Sequence, residues 1–129
     1  MAEKPYRVLA VDDDFASLEV LALLLRSEGF EVIAASNGEE ALAQMAQATV
    51  DLVITDYKMP VMDGGELCLS LLADQQFAKI PVIFTSATYR HGVPRPSNVA
   101  AFFNKPLLFK ELLRAVREIL GGQVTPPLA

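Results

Sequence analysis

One cysteine, Cys68, and one histidine, His91, are all this chain has of two residue types that dominate metal and redox sites. A lone cysteine excludes an internal disulfide and a multi-cysteine metal centre. The lone histidine sits in a stretch with Gly92, Pro94 and Pro96 and is read as exposed and inert, which argues against a phosphotransfer module built on histidine. No run of about 18 apolar residues occurs, so no membrane contact is expected. The opening MAEKPYRVLA lacks the apolar stretch of a secretory leader, and the cytoplasm is the expected compartment. Basic residues are few, 11 against 16 acidic, and scattered, so no nucleic-acid footprint is visible. What remains is a 129-residue chain, 52% hydrophobic and 21% charged, enough for one domain with a real core but not for two.

Short apolar runs alternate with amphipathic segments along its length, the pattern of an α/β domain with a parallel sheet. A first strand spans 7–11 and is closed by Asp12-Asp13-Asp14. A helix over 15–28 follows, with Leu18, Leu21, Leu24 and Leu25 at helical spacing and Gly29 as its stop. Residues 30–34 read as a second strand. Ser36 with Glu39 resembles a capping box opening a helix that carries Ala41, Leu42 and Met45. A third strand (51–55), a third helix (65–73) and a fourth strand (80–85) come next, the last with Pro81 near its start, where a missing N–H matters least. Residues 88–99 show no helical period. A fifth strand spans 100–104, and a final helix spans 107–120 with Leu112, Val116 and Ile119 on one stripe. That helix offers Glu111–Arg114 and Arg114–Glu118 as charge pairs one turn apart. The domain is expected to close at residue 120, with 121–129 as a tail or linker. The fold class is α/β, a doubly wound five-stranded parallel sheet, whose ligands bind beyond the carboxyl ends of the strands.

Those ends carry the chemistry. Strand one ends in Asp12-Asp13-Asp14, strand three in Asp56, strand four in Thr85-Ser86 and strand five in Lys105. A parallel sheet turns all four ends the same way, gathering carboxylates, hydroxyls and an ammonium around one crevice. Two carboxylates ~4 Å apart repel by roughly 4 kcal/mol at an effective dielectric near 20, so the cluster needs a cation or must protonate in part. Oxygen ligands without His or Cys favour a hard ion such as Mg²⁺.

The segment Asp56-Tyr57-Lys58-Met59-Pro60-Val61-Met62-Asp63-Gly64 resembles the D-x-x-M-P-x-M-D-G signature of response regulator receiver domains, of the chemotaxis type, in two-component signalling. Asp12-Asp13, Ser86 before Ala87, and Lys105-Pro106 stand in order at the other strand ends, so the resemblance covers about residues 6 to 120. It implies a flavodoxin-like sheet of order 2-1-3-4-5 and a phosphorelay domain, not a turnover enzyme. Asp56 is then the phosphoacceptor, taking a phosphoryl group from a histidine kinase or histidine phosphotransfer protein to control a downstream protein or output domain. Asp13 and Asp56 are direct Mg²⁺ ligands, Asp12 acts mainly through bound water, and the backbone carbonyl of Lys58 is a further ligand. Lys105 pairs with the phosphoryl oxygens, Ser86 hydrogen-bonds one of them, and Ser86 and Phe102 form the switch. Lys58 and Thr88 border the path of attacking water.

Plainer roles compete at some positions. Asp14 reads as a helix cap, Asp63-Gly64 as a turn, Cys68 as a small buried hydrophobe, and Phe102 also as an ordinary strand residue; Thr85 rivals Ser86 for the hydroxyl role. Two other functions fit parts of the pattern: an aspartyl-phosphate hydrolase of haloacid-dehalogenase type, whose nucleophile motif Asp12-x-Asp14 imitates, and a degenerate receiver serving only to dock. The M-P-x-M-D-G stretch speaks against the first and the complete set of strand-end residues against the second. Between strands four and five, Pro94 and Pro96 forbid a regular helix. The helix that receivers carry there is expected to be shortened or irregular, moving partner contacts to this connection or to the first and last helices.

Overall fold

Successive strand residues face opposite sides of a sheet, and here both sides are apolar. In the computed structural model, which describes residues 5–87 and 95–121, the order is β1 (Arg7–Val11), α1 (Phe15–Ser27), β2 (Glu31–Ala35), α2 (Gly38–Met45), β3 (Leu52–Asp56), α3 (Gly64–Leu72), β4 (Val82–Ser86), β5 (Val99–Asn104) and α4 (Phe109–Gly121). Leu9, Val11, Val53, Val82 and Phe84 pack with Ala41 and Met45 of α2 and Leu67, Cys68 and Leu71 of α3. Val8, Leu52, Ile54 and Ile83 pack on the other side with Leu25 of α1 and Leu112 and Val116 of α4. Every residue of β3 and β4 is buried, as expected of parallel strands covered on both faces. Each fully buried Leu, Ile or Phe contributes roughly 1.5–3 kcal/mol of transfer free energy.

The five strands are parallel in the order β2-β1-β3-β4-β5. The chain steps from β1 outward to β2, then crosses back to β3 on the opposite side. That reversal opens a crevice beyond the carboxyl ends of β1 and β3. Val11 is in register with Thr55, and Asp56 with Thr85, so the chemically rich strand ends lie side by side.

Local signals set most boundaries. Gly29, at φ 95°, ends α1: its N–H reaches the Arg26 carbonyl (3.0 Å) and the Phe30 N–H reaches Leu25 (3.2 Å), a left-handed termination that glycine adopts without strain. At α2 the cap is Asn37, not Ser36. The Asn37 side chain accepts the Glu40 N–H (2.8 Å), and Glu40 returns to the Ser36 N–H (2.7 Å). An Asn amide oxygen caps as well as a Ser hydroxyl, so the motif slides by one residue. The charge pairs expected along the last helix do not form among the described residues. Arg117 instead reaches Glu28 at the end of α1 (2.8 Å), and Glu111, Arg114 and Glu118 are solvated. Exposed pairs one turn apart gain too little to hold two long side chains still.

Between β4 and β5, residues 88–94 lie outside the described residues, and with them most of the segment expected to be irregular, including Thr88 and His91. Residues 95–98 form no helix. Among the described residues one non-glycine backbone position is strained: Val61 has φ 69°, a conformation that costs an L-residue roughly 1–2 kcal/mol. Its side chain is 73% exposed, so little packing would be lost without it. Val61→Gly should raise stability by about 0.5–1 kcal/mol after allowing for glycine's freer unfolded chain. A thermal melt checks this, and an unchanged or lower Tm would remove the strain argument.

Candidate functional site

Asp12 follows the last residue of β1 and is 9% exposed. One of its oxygens accepts the Asp14 N–H (2.9 Å) and the other accepts Lys105 Nζ at 2.7 Å. Asp56 closes β3, is also 9% exposed, and lies 3.5 Å from the same ammonium. Asp13 is exposed at the mouth. One carboxylate oxygen from each of Asp12, Asp13 and Asp56 falls within 4.8 Å of the others. The expected cluster thus assembles, with Lys105 inserted as its counter-ion.

The electrostatics follow from that packing. Burial pushes the Asp56 carboxyl above its ordinary value; Lys105 opposes the shift, while the charges of Asp12 and Asp13 add to it. Burial also works against the charged Lys105. The hydrogen bond to Asp12 and the charges of Asp12 and Asp56 outweigh it, and the ammonium is held above its ordinary value. Both effects describe a site short of positive charge, and oxygen donors at this spacing suit a hard divalent cation such as Mg²⁺.

The remaining residues sort by what they touch. Asp14 caps α1: it accepts the Ser17 hydroxyl (2.8 Å) and the Ala16 N–H (3.2 Å). The Ser17 bond holds its carboxyl below the usual value. Asp63 and Glu66 form a reciprocal capping box at the start of α3. Gly64 is more constrained than a turn requires, since a Cβ there would stand 2.5 Å from the Asp56 carbonyl oxygen. Ser86 is 4% exposed at the end of β4, and its carbonyl accepts the Lys105 N–H (2.8 Å). Thr85 faces the other way, into a groove of about 640 Å³ between α1 and α4 that Asp12, Ala87 and Lys105 also line. Lys58 is exposed in the loop after β3. Phe102, half-buried, sits edge-on to Phe84 at 6.2 Å, and Phe84 edge-on to Tyr57 at 5.3 Å.

Two contributors escaped the sequence reading. The Arg95 guanidinium lies 5.7 Å over the Phe102 ring. Gly38 gives its N–H to the Met62 carbonyl (2.9 Å) and leaves no room for a Cβ against Met62. Neither pairing has a spacing signal, because each joins segments that meet only in the fold. Cys68 is fully buried, and burial pushes its thiol up to about 12. A thiol alkylating reagent at neutral pH should leave the folded protein unmodified and label it on unfolding; rapid native labelling would contradict this placement.

A family model described as the response regulator receiver domain matches residues 8–117. The chain belongs to that family. This receiver domain is 38% identical over 127 residues to the transcriptional regulatory protein GlrR of Escherichia coli strain K12, a match covering 93% of the chain and 27% of GlrR. It therefore spans about a quarter of that relative's length. Among solved structures, a putative response regulator from Chloroflexus aurantiacus superimposes with a TM-score of 0.83 at 32% identity, covering 92% of this chain and 99% of that one. TrrA from Thermotoga maritima, solved in complex with Mg²⁺-BeF, gives 0.78 at 32% identity over 89% and 99%. The haloacid-dehalogenase alternative falls away with the family match, and its imitation motif dissolves physically: Asp14 is occupied in capping α1. No described helix of the receiver domain is long and apolar enough to cross a membrane.

Proposed function

We propose that this receiver domain accepts a phosphoryl group on Asp56 from a phosphohistidine of a histidine kinase or phosphotransfer protein, in the cytoplasm, and signals through the resulting change of shape. The observation that carries the reading is the setting of Asp56: a nearly buried carboxylate, 3.5 Å from an ammonium, with oxygens of two further aspartates within 4.8 Å. An Asp56 oxygen attacks phosphorus in line as the P–N bond breaks, and the departing imidazole takes up a proton. Little covalent assistance is needed, since such transfers depend on positioning and charge neutralisation. Asp12, Asp13, Asp56 and the backbone carbonyl of Lys58 would hold Mg²⁺, which when bound neutralises charge on the phosphoryl oxygens. TrrA, solved in complex with Mg²⁺-BeF, supports a Mg²⁺ site here by likeness.

Lys105 has two carboxylates within reach and can shift its compact charge from Asp12 to a phosphoryl oxygen on Asp56. Ser86 donates its hydroxyl to another, and Phe102, in edge contact with Phe84, follows the movement of β4. Asp56 carries the phosphoryl group as a modification, and the domain acts as a switch. The test is incubation with a small phosphodonor followed by intact mass measurement. One phosphoryl group should be gained with Mg²⁺ and none with a chelator; equal gain in both would overturn the metal-assisted reading.

A further inference from the structure

One row of residues in register crosses all five strands: Ala35, Val11, Thr55, Phe84 and Phe102. Four are apolar and the central one carries a hydroxyl. Thr55 alternates with Ile54 and so shares the side of Val53, where Val11 and Phe84 pack against α2 and α3. It is 0% exposed. Valine has the same shape, suits a buried strand at least as well and has no polar atom to satisfy, so packing does not call for the hydroxyl. Its use is local. Thr55 Oγ1 donates to the Asp56 carbonyl oxygen (2.9 Å) and lies 3.9 Å from the Met59 sulfur. A hydroxyl has a single hydrogen and a thioether is a weak acceptor, so the carbonyl takes it.

That carbonyl lies just past Val11 and Thr55, the last pair joining β3 to β1. The N–H of the same peptide, that of Tyr57, donates to the Thr85 carbonyl (2.8 Å). Gly64 closes on the oxygen so tightly that a Cβ would stand 2.5 Å from it. The peptide joining Asp56 to Tyr57 is thus held at both polar ends, and its plane sets the angle at which the Asp56 side chain leaves the strand. We propose that Thr55 is a positioning residue for phosphoryl transfer: its hydroxyl fixes this peptide plane and so keeps the Asp56 carboxylate in line with the incoming phosphorus. The inference rests on Asp56 being the acceptor. Fully buried, Thr55 takes no part in the bonds exchanged: the oxygen–phosphorus bond to Asp56 forms as the donor's P–N bond breaks and the nitrogen takes up a proton. It acts by angle alone. Misplacing a reacting group by about 1 Å can cost on the order of 10²-fold in rate, and one neutral hydrogen bond that steadies a peptide plane is worth about tenfold.

Thr55→Val and Thr55→Ser, made in the full chain, separate aiming from folding. Valine keeps the shape and loses the hydrogen bond, whereas serine keeps the hydroxyl and loses a buried methyl. Stability and rate should therefore run in opposite directions. Thr55→Val should melt no lower than the wild type, yet gain a phosphoryl group from phosphoramidate about tenfold more slowly at saturating Mg²⁺. Thr55→Ser should melt several degrees lower and keep a rate within about threefold of the wild type's. The ¹³C resonance of the Asp56 carbonyl, read without donor or metal, should shift in Thr55→Val and return towards its wild-type position in Thr55→Ser. A wild-type rate in Thr55→Val would overturn the assignment. So would a loss that disappears as Mg²⁺ is raised, or rates that follow the melting temperature in both variants. A wild type that gains no phosphoryl group sinks the acceptor reading and this inference with it, whereas a labelled wild type beside an indifferent Thr55→Val sinks the inference alone.

Discussion

Asp56→Asn should abolish labelling by any phosphodonor and, in metal-free buffer near neutral pH, raise the melting temperature by several degrees. The first effect is a complete loss, because an amide is too poor a nucleophile to form the acyl phosphate. The second follows from linkage. Burial and the neighbouring Asp12 and Asp13 raise the folded-state carboxyl above its ordinary 3.8. Between that value and the raised one, the native protein retains a proton that the unfolded chain has lost. Stability falls as pH rises through this window and stays lower above it. The uncharged amide escapes the penalty. Below the ordinary carboxyl value both proteins carry a neutral group and the difference should close. Added Mg²⁺ should shrink it too, by neutralising the wild-type cluster. Thermal melts across pH, with and without the ion, check both. A variant less stable than wild type at neutral pH without metal would show that Lys105 already compensates the cluster, and residual full labelling would remove Asp56 as the acceptor.

Gly64→Ala is expected to be the most damaging small substitution near the site. Its Cβ would meet the Asp56 carbonyl oxygen at 2.5 Å, the Tyr57 Cα at 3.1 Å and the Asp56 carbonyl carbon at 3.3 Å. All three are backbone atoms that cannot turn aside. The Gly64 N–H also donates to the Tyr57 carbonyl (2.8 Å), pinning the start of α3 to the end of the strand that carries Asp56. A loss of about 2–3 kcal/mol, as for overpacked cores, should appear in a denaturant melt, with phosphorylation slowed because Asp56 itself is displaced. Gly65→Ala is the control. Its Cβ approaches nothing closer than 3.4 Å and should cost far less. Equal effects in the two would refute the close-approach account.

These two glycines mark the boundary of what sequence reading can see. Gly64 announced itself through the motif around it, but the reason for glycine there, a Cβ-sized gap over the Asp56 carbonyl, is a distance and needs the fold. The sheet was legible because buried parallel strands are short apolar runs and the strand ends are polar; β3 and β4 were misjudged only at their margins. The carboxylate cluster was legible because parallel strands share a direction. That Lys105 bonds Asp12 at 2.7 Å and stands farther from Asp56 was not, since a flexible four-carbon stem chooses its partner by local geometry. Asn37 displaced Ser36 as a cap because two adjacent residues were both competent. The Arg95–Phe102 contact and the Gly38–Met62 bond join segments with no shared periodicity.

The single ammonium among three carboxylates has one more consequence. With all four groups ionised, the crevice is two elementary charges short of neutrality. A divalent ion closes that gap in one binding event. A monovalent ion would close half of it, and a trivalent one would overshoot. The lysine thus works as a tuning charge: by cancelling one carboxylate, it leaves a deficit that a divalent ion would match.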